Sequence, residues 1–143
     1  MKNCKDFDLS KNMIHRSPML MVDKILEESE LNGKTFFKVT DDCIFLTFDG
    51  VLQRAAMIEI AAQSFAAIDI FHKRQKNLEP KKGFVVSVRD FKFFCDAKID
   101  DEIVCELKKV DELGLIHIAV ARLIDNKNGR LFADGEFRIY ELP

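Results

Sequence analysis

Tryptophan is absent and tyrosine occurs once, so thirteen phenylalanines carry almost all the aromatic content. A phenyl ring has no polar atom to satisfy, and this bias fits a greasy interior or an internal tunnel. No block of five or six basic residues occurs and the net charge is −2, which argues against nucleic acid as the main partner. Lys73, Arg74 and Lys76 cluster only where a helix is expected to end. The four cysteines (Cys4, Cys43, Cys95, Cys105) lack close-pair spacing, so reduced thiols are expected, with no metal and no cofactor. Met1 to Leu9 has no apolar signal core, and no uncharged apolar run is long enough to span a bilayer. A cytoplasmic chain without a membrane span is the expectation. The three histidines form no legible Ser-His-Asp or Cys-His arrangement. No repeat, linker or low-complexity segment interrupts the chain, and 143 residues suit a single domain over 1–143.

What is present is a long apolar stretch. Residues 55–68 read Ala-Ala-Met-Ile-Glu-Ile-Ala-Ala-Gln-Ser-Phe-Ala-Ala-Ile, polar only at Glu59, Gln63 and Ser64. A helix without a wet face is buried. Glu59 and Gln63 are four apart and share one side of it. A carboxylate in such surroundings is costly unless paired or protonated, so Glu59 is the first candidate for a site, with its pKa expected to be raised by burial.

The helix is expected from Val51 to Lys76, with Asp49 as its cap. Before it, Asn32-Gly33 is a hairpin signal joining strands over 19–31 and 34–40. After it, Pro80 and Gly83 mark the exit, and strands are expected over 83–88, 90–97, 101–112, 115–125 and 130–142. Asn128-Gly129 marks the last turn. One helix that is apolar all round needs a sheet wrapped about it. The fold class is therefore α+β, a hotdog: one long central helix inside a curved antiparallel sheet. An exposed edge of such a sheet favours a dimer.

Two motifs then stand in order. Ile14-His15-Arg16-Ser17-Pro18-Met19-Leu20-Met21-Val22-Asp23-Lys24-Ile25-Leu26 resembles the N-terminal signature of 3-hydroxyacyl-(acyl carrier protein) dehydratases of the FabZ and FabA kind. Met57-Ile58-Glu59-Ile60-Ala61-Ala62-Gln63 resembles their helix motif. Arg89-Asp90-Phe91-Lys92-Phe93 lies where those proteins carry a further run. The closest pattern is that of the ApeP-like dehydratase branch of aryl polyene clusters, which the stretch from Asp49 to Glu59 and the segment Lys82-Gly83-Phe84-Val85-Val86 both resemble.

The resemblance implies a role for each matching residue. Glu59 would protonate the leaving β-hydroxyl, helped by Gln63, while the helix start would polarise the thioester carbonyl. The histidine that takes the α-proton in the FabZ kind has no counterpart, because Phe45 or Val51 stands at its place. Gln53-Arg54 replaces the usual Pro-Gly. The divergent branch lacks that histidine too. Asp49, Gly50, Val51, Arg54, Gly83 and Phe84 are the matching candidates for substrate binding, Arg54 toward a phosphate of the pantetheine arm.

Other readings of the same residues remain open. His15 reads as a hydrogen-bonded element at the start of the fold, His72 as a cation at the helix C-terminus and His117 as a strand residue. Asp49 or Glu59 could instead activate water. Three functions compete: a dehydratase of fatty-acid or polyene synthesis, a hotdog thioesterase, and a non-catalytic partner of an active dehydratase. The implied partners are an acyl carrier protein or acyl-CoA, with a homodimer or a hetero-oligomer containing another hotdog subunit.

Overall fold

A computed structural model describes residues 3–143. A 3-10 turn at Cys4–Asp6 and a short helix α1 at Leu9–Asn12 precede strands β1 (Lys24–Glu28) and β2 (Asn32–Lys38). Helix α2 (Arg54–Gln75) follows, then β3 (Gly83–Phe93), β4 (Glu102–Leu113), β5 (Ile116–Asp125) and β6 (Leu131–Glu141). All pairings are antiparallel, in the order β1-β2-β4-β5-β6-β3. Helix α2 touches every strand of this one sheet. The hotdog arrangement is therefore the fold of this chain.

Strand alternation supplies the bed for the helix. Thr35 and Phe37 on β2, Cys105 and Leu107 on β4, and Ala119, Ala121 and Leu123 on β5 are all buried, matching period-two patterning. From the helix, Met57, Ile60, Ala61, Ala67 and Phe71 are buried against them. By length and composition α2 resembles a membrane span, yet 61% of that window is buried inside the protein. The sheet, rather than lipid, covers it.

Several boundaries differ from the expected ones for physical reasons. The first hairpin forms, but its turn lies at Ser29 to Asn32, where Ser29 N–H donates to the Asn32 carbonyl at 2.8 Å. Gly33 lies within β2, opposite Glu28 and Leu107. A Cβ there would stand 2.1 Å from Ile68 Cδ1, so this glycine lets the helix approach the sheet. The expected strands 83–88 and 90–97 form one strand, β3. Its register shifts between Arg89 and Lys92, and Asp90 adopts φ +52°.

The helix starts at Arg54, and Gln53 occupies the cap position without a side-chain bond. Asp49 is not the cap. It is exposed in the turn closed by Gly50 N–H on the Thr47 carbonyl.

Candidate active site

The site is built around Gln63. This amide is 1% exposed, and a buried amide must find partners for both ends. Its Oε1 accepts the Met21 N–H at 2.6 Å, and its Nε2 donates to the Met19 carbonyl at 3.0 Å. Nε2 also donates to Glu59 Oε1 at 3.0 Å. One side chain thus fastens the segment before β1 to the helix and orients the carboxylate one turn away.

Fastening that segment brings His15 in. Arg16 reaches back to the Met13 and His15 carbonyls, and Met19 N–H closes a turn on the Arg16 carbonyl at 2.7 Å. His15 Nε2 then lies 3.5 Å from Glu59 Oε1. His15 Nδ1 is buried and has no hydrogen-bond partner. The imidazole read as a structural element of the N-terminal motif stands beside the helix acid. Sequence reasoning missed this pairing. The available signal was Gln63, whose partners had to come from another segment.

Glu59 corrects a second expectation. Its side chain is 38% exposed, so it stands at an open rim and is not held away from water. It nevertheless borders a cavity of about 270 Å³ lying along α2. His15, Glu59 and Gln63 mark one end, Ala62, Ala66 and Phe65 form the helix wall, and Gly83, Phe84 and Val85 of β3 line the opposite side. At the other end stand Asp69, Lys81 and Glu141. Apolar walls with a few convergent polar groups are the usual make-up of a small-molecule site.

The remaining candidates divide. Gly83 and Phe84 line this cavity. Asp49, Gly50, Val51 and Arg54 do not, because they gather at the helix start. Gly50 has φ +78° and its carbonyl accepts the Ile99 N–H at 3.0 Å, while Val51 forms a bridge with Lys98. Arg54 Nε donates to Asp96 Oδ1 at 2.9 Å, and its guanidinium lies 5.9 Å from the Phe93 ring centre. Gly50, Val51 and Arg54 tie this stretch to the segment between β3 and β4, while Asp49 is exposed. The cavity begins at Glu59, more than a turn inside the helix, so the helix start does not border it.

His72 pairs with Glu28 at the helix C-terminal end, and His117 Nε2 bonds Glu141 Oε2 at 2.8 Å. All four cysteines are free thiols, and burial pushes the Cys105 thiol up to about 12. Among the described residues no group of three or more His, Cys, Asp or Glu is arranged to hold a metal ion.

Comparison with known proteins adds a family and a set of structural likenesses. Residues 7–141 match the family model described as ApeP-like, ApeP dehydratase. The dehydratase heterocomplex ApeI:P from Xenorhabdus doucetiae superposes with a TM-score of 0.87 at 15% identity, covering 96% of this chain and 92% of the other. A hypothetical thioesterase with coenzyme A from Streptococcus pneumoniae TIGR4 gives 0.65 at 13% identity, covering 82% and 86%. Zebra fish thioesterase superfamily member 2 gives 0.64 at 17%, covering 84% and 80%. At these identities the superpositions establish the fold. No curated protein matches the sequence.

Proposed function

Because the chain belongs to the ApeP-like family of hotdog-fold dehydratases, we propose that it dehydrates 3-hydroxyacyl thioesters carried on acyl carrier protein, as one subunit of a two-hotdog assembly. The observation that carries this reading is the convergence of His15 and Gln63 on Glu59 at the rim of an apolar cavity. The whole chain, 1–143, acts as one domain, and a cytoplasmic location fits a carrier-borne substrate.

Dehydration needs one group to take the α-proton beside the thioester and one to protonate the departing hydroxyl. His15 takes the α-proton. Glu59 delivers a proton to the β-oxygen, which leaves as water. The C–H electron pair becomes the new double bond, and a 2-enoyl thioester results. Gln63 holds Glu59 in place and does not titrate. The acyl chain lies along Ala62 and Ala66 toward Phe84.

The partner reading rests on β3. It is an edge strand with one neighbour, β6, and Phe84, Val86 and Val88 are exposed apolar side chains along it. Such an edge is normally covered. A second hotdog subunit pairing along β3 would cover it and roof the cavity; the structurally similar Xenorhabdus protein is described as a dehydratase heterocomplex.

The test is conversion of 3-hydroxyacyl carrier protein to the enoyl product by the purified chain, alone and with a hotdog protein encoded beside it. Turnover that disappears in Glu59→Gln supports the proposal. Release of free acid in place of enoyl thioester would make the protein a thioesterase. Full turnover by the assembly containing Glu59→Gln would make this chain a non-catalytic partner.

A further inference from the structure

We propose that a charged network at the far end of the cavity is a polar stop, which limits the length of the acyl chain and favours a hydrogen-bonding group at its tip. This rests on reading the cavity as the acyl site.

The helix provides the ruler. Glu59 and Asp69 both line the cavity and are separated by ten residues of α2, or ~15 Å along the axis at the helical rise of 1.5 Å. Beyond Gln63 the helix wall between them is Phe65 and Ala66, and Ile139, Phe84 and Val85 of the sheet also line the cavity. An extended chain advances about 3.5 Å per three bonds, so ~15 Å corresponds to ~12 chain atoms beyond the reacting carbons.

There the character of the wall changes. Lys73 Nζ donates to Asp69 Oδ2 at 2.8 Å and also to Glu141 Oε1. His117 Nε2 bonds the other Glu141 oxygen at 2.8 Å. These side chains are 8–19% exposed, a buried cluster of charge in which Asp69 and Glu141 face the cavity. Burial would raise the Glu141 carboxyl, but the bonds from Lys73 and His117 outweigh it and hold the group below its usual range. It therefore stays an ionised acceptor at neutral pH.

A methyl end pressed against these carboxylates removes water from them and returns no bond. A terminal hydroxyl donates to one of them and replaces that water. The network also ties α2 to β5 and β6, and that structural role by itself would give no dependence on the ligand's tip.

Calorimetric binding of 3-hydroxyacyl-N-acetylcysteamine thioesters to the full chain tests the proposal. The ligands span half to one and a half times the ~12-atom reach, each with and without an ω-hydroxyl. Affinity for methyl-ended chains should rise up to that length and fall beyond it, and the ω-hydroxyl should tighten binding about tenfold at the limit. In the paired variant Asp69→Leu with Lys73→Met, longer chains should bind and the hydroxyl gain should vanish. Glu141→Gln, a milder change, should weaken the hydroxyl gain in a protein that keeps its fold. Equal binding of longer methyl-ended chains by the unaltered protein, or a hydroxyl gain untouched in both variants, would overturn the polar stop while leaving the acyl site standing. Binding of no thioester at any length would overturn the acyl site itself.

Discussion

His15 Nε2 stands 3.5 Å from Glu59 Oε1, the same oxygen that accepts the Gln63 amide at 3.0 Å. An imidazole from the segment before β1 and an amide from α2 thus converge on one carboxylate oxygen. The amide contact spans one turn of α2, whereas the imidazole contact joins segments 44 residues apart. The second depends on Gln63 binding the backbone at Met19 and Met21.

Replacing either reacting group should stop turnover without unfolding the protein. Glu59→Gln and His15→Asn are each expected to lower the rate of enoyl formation by ~10²–10⁴, the usual worth of a positioned acid or base. Both side chains are about one-third exposed, so thermal unfolding should stay near that of the parent. Enoyl formation by the assembled protein, followed beside its melting curve, checks both.

Gln63→Leu should act differently. The Met21 N–H would lose its buried acceptor, and an unsatisfied buried donor costs about 1–3 kcal/mol. Stability should fall by that order in urea titration, and the rate should fall as well because Glu59 loses its orienting amide.

Two glycines should differ in sensitivity. At Gly33 an added Cβ meets the Cδ1 end of Ile68, which can turn aside, at an expected cost of ~1–3 kcal/mol for local overpacking. At Gly135 it would come within 2.5 Å of the Phe91 Cα, a backbone atom in the shifted stretch of β3 that has no alternative position. Gly135→Ala should therefore lower the melting temperature more than Gly33→Ala and loosen the β3 edge, as amide exchange along β3 would report.

Stability should depend on pH through the Lys73–Glu141 pair. The folded Glu141 carboxyl lies below its usual range, so its contribution is present above the unfolded carboxylate pKa and is lost as pH falls through the lower folded value. For Lys73, burial lowers the ammonium pKa but its bonds to Asp69 and Glu141 outweigh that and raise it. Its contribution is complete below the ordinary lysine pKa and is lost as pH rises through the raised folded value. Melting temperature should thus fall at both the acid and the far alkaline end. Glu141→Gln should flatten the acid limb, and Lys73→Met the alkaline one.

The β3 edge gives a separate test. Val86 is 55% exposed along this strand. Val86→Lys places a charge where strand pairing would bury it, and charged edges resist pairing. The variant should run at monomer mass in light scattering while the parent runs as an assembly with itself or a second hotdog chain.

Much of the fold was legible because it follows from periodicity. An apolar helix without a polar face predicted its own burial, and alternation in the later segments predicted strands. The two shifted features have local causes. Asn32-Gly33 has the composition of a turn, but the helix needed a residue without Cβ at Gly33, and the turn formed upstream. Asp90 bends β3 without ending it, because β6 continues to pair beyond the bulge. At the site, Glu59, Gln63, Gly83 and Phe84 were legible from their motifs and line the cavity, whereas Asp49, Gly50, Val51 and Arg54 gather at the helix start.

By itself the sequence determined which segments form helix and strand, that α2 is interior, and that Glu59 and Gln63 share one side of it, since periodicity and side-chain solubility act along a single element. Tertiary structure alone decided that His15 stands beside Glu59, that the acid sits at a rim open to water, and that Asp69, Lys73, His117 and Glu141 join in one network. Each of those facts joins residues distant in the chain. A contact between distant segments is set by how helix and sheet pack, which no local pattern encodes.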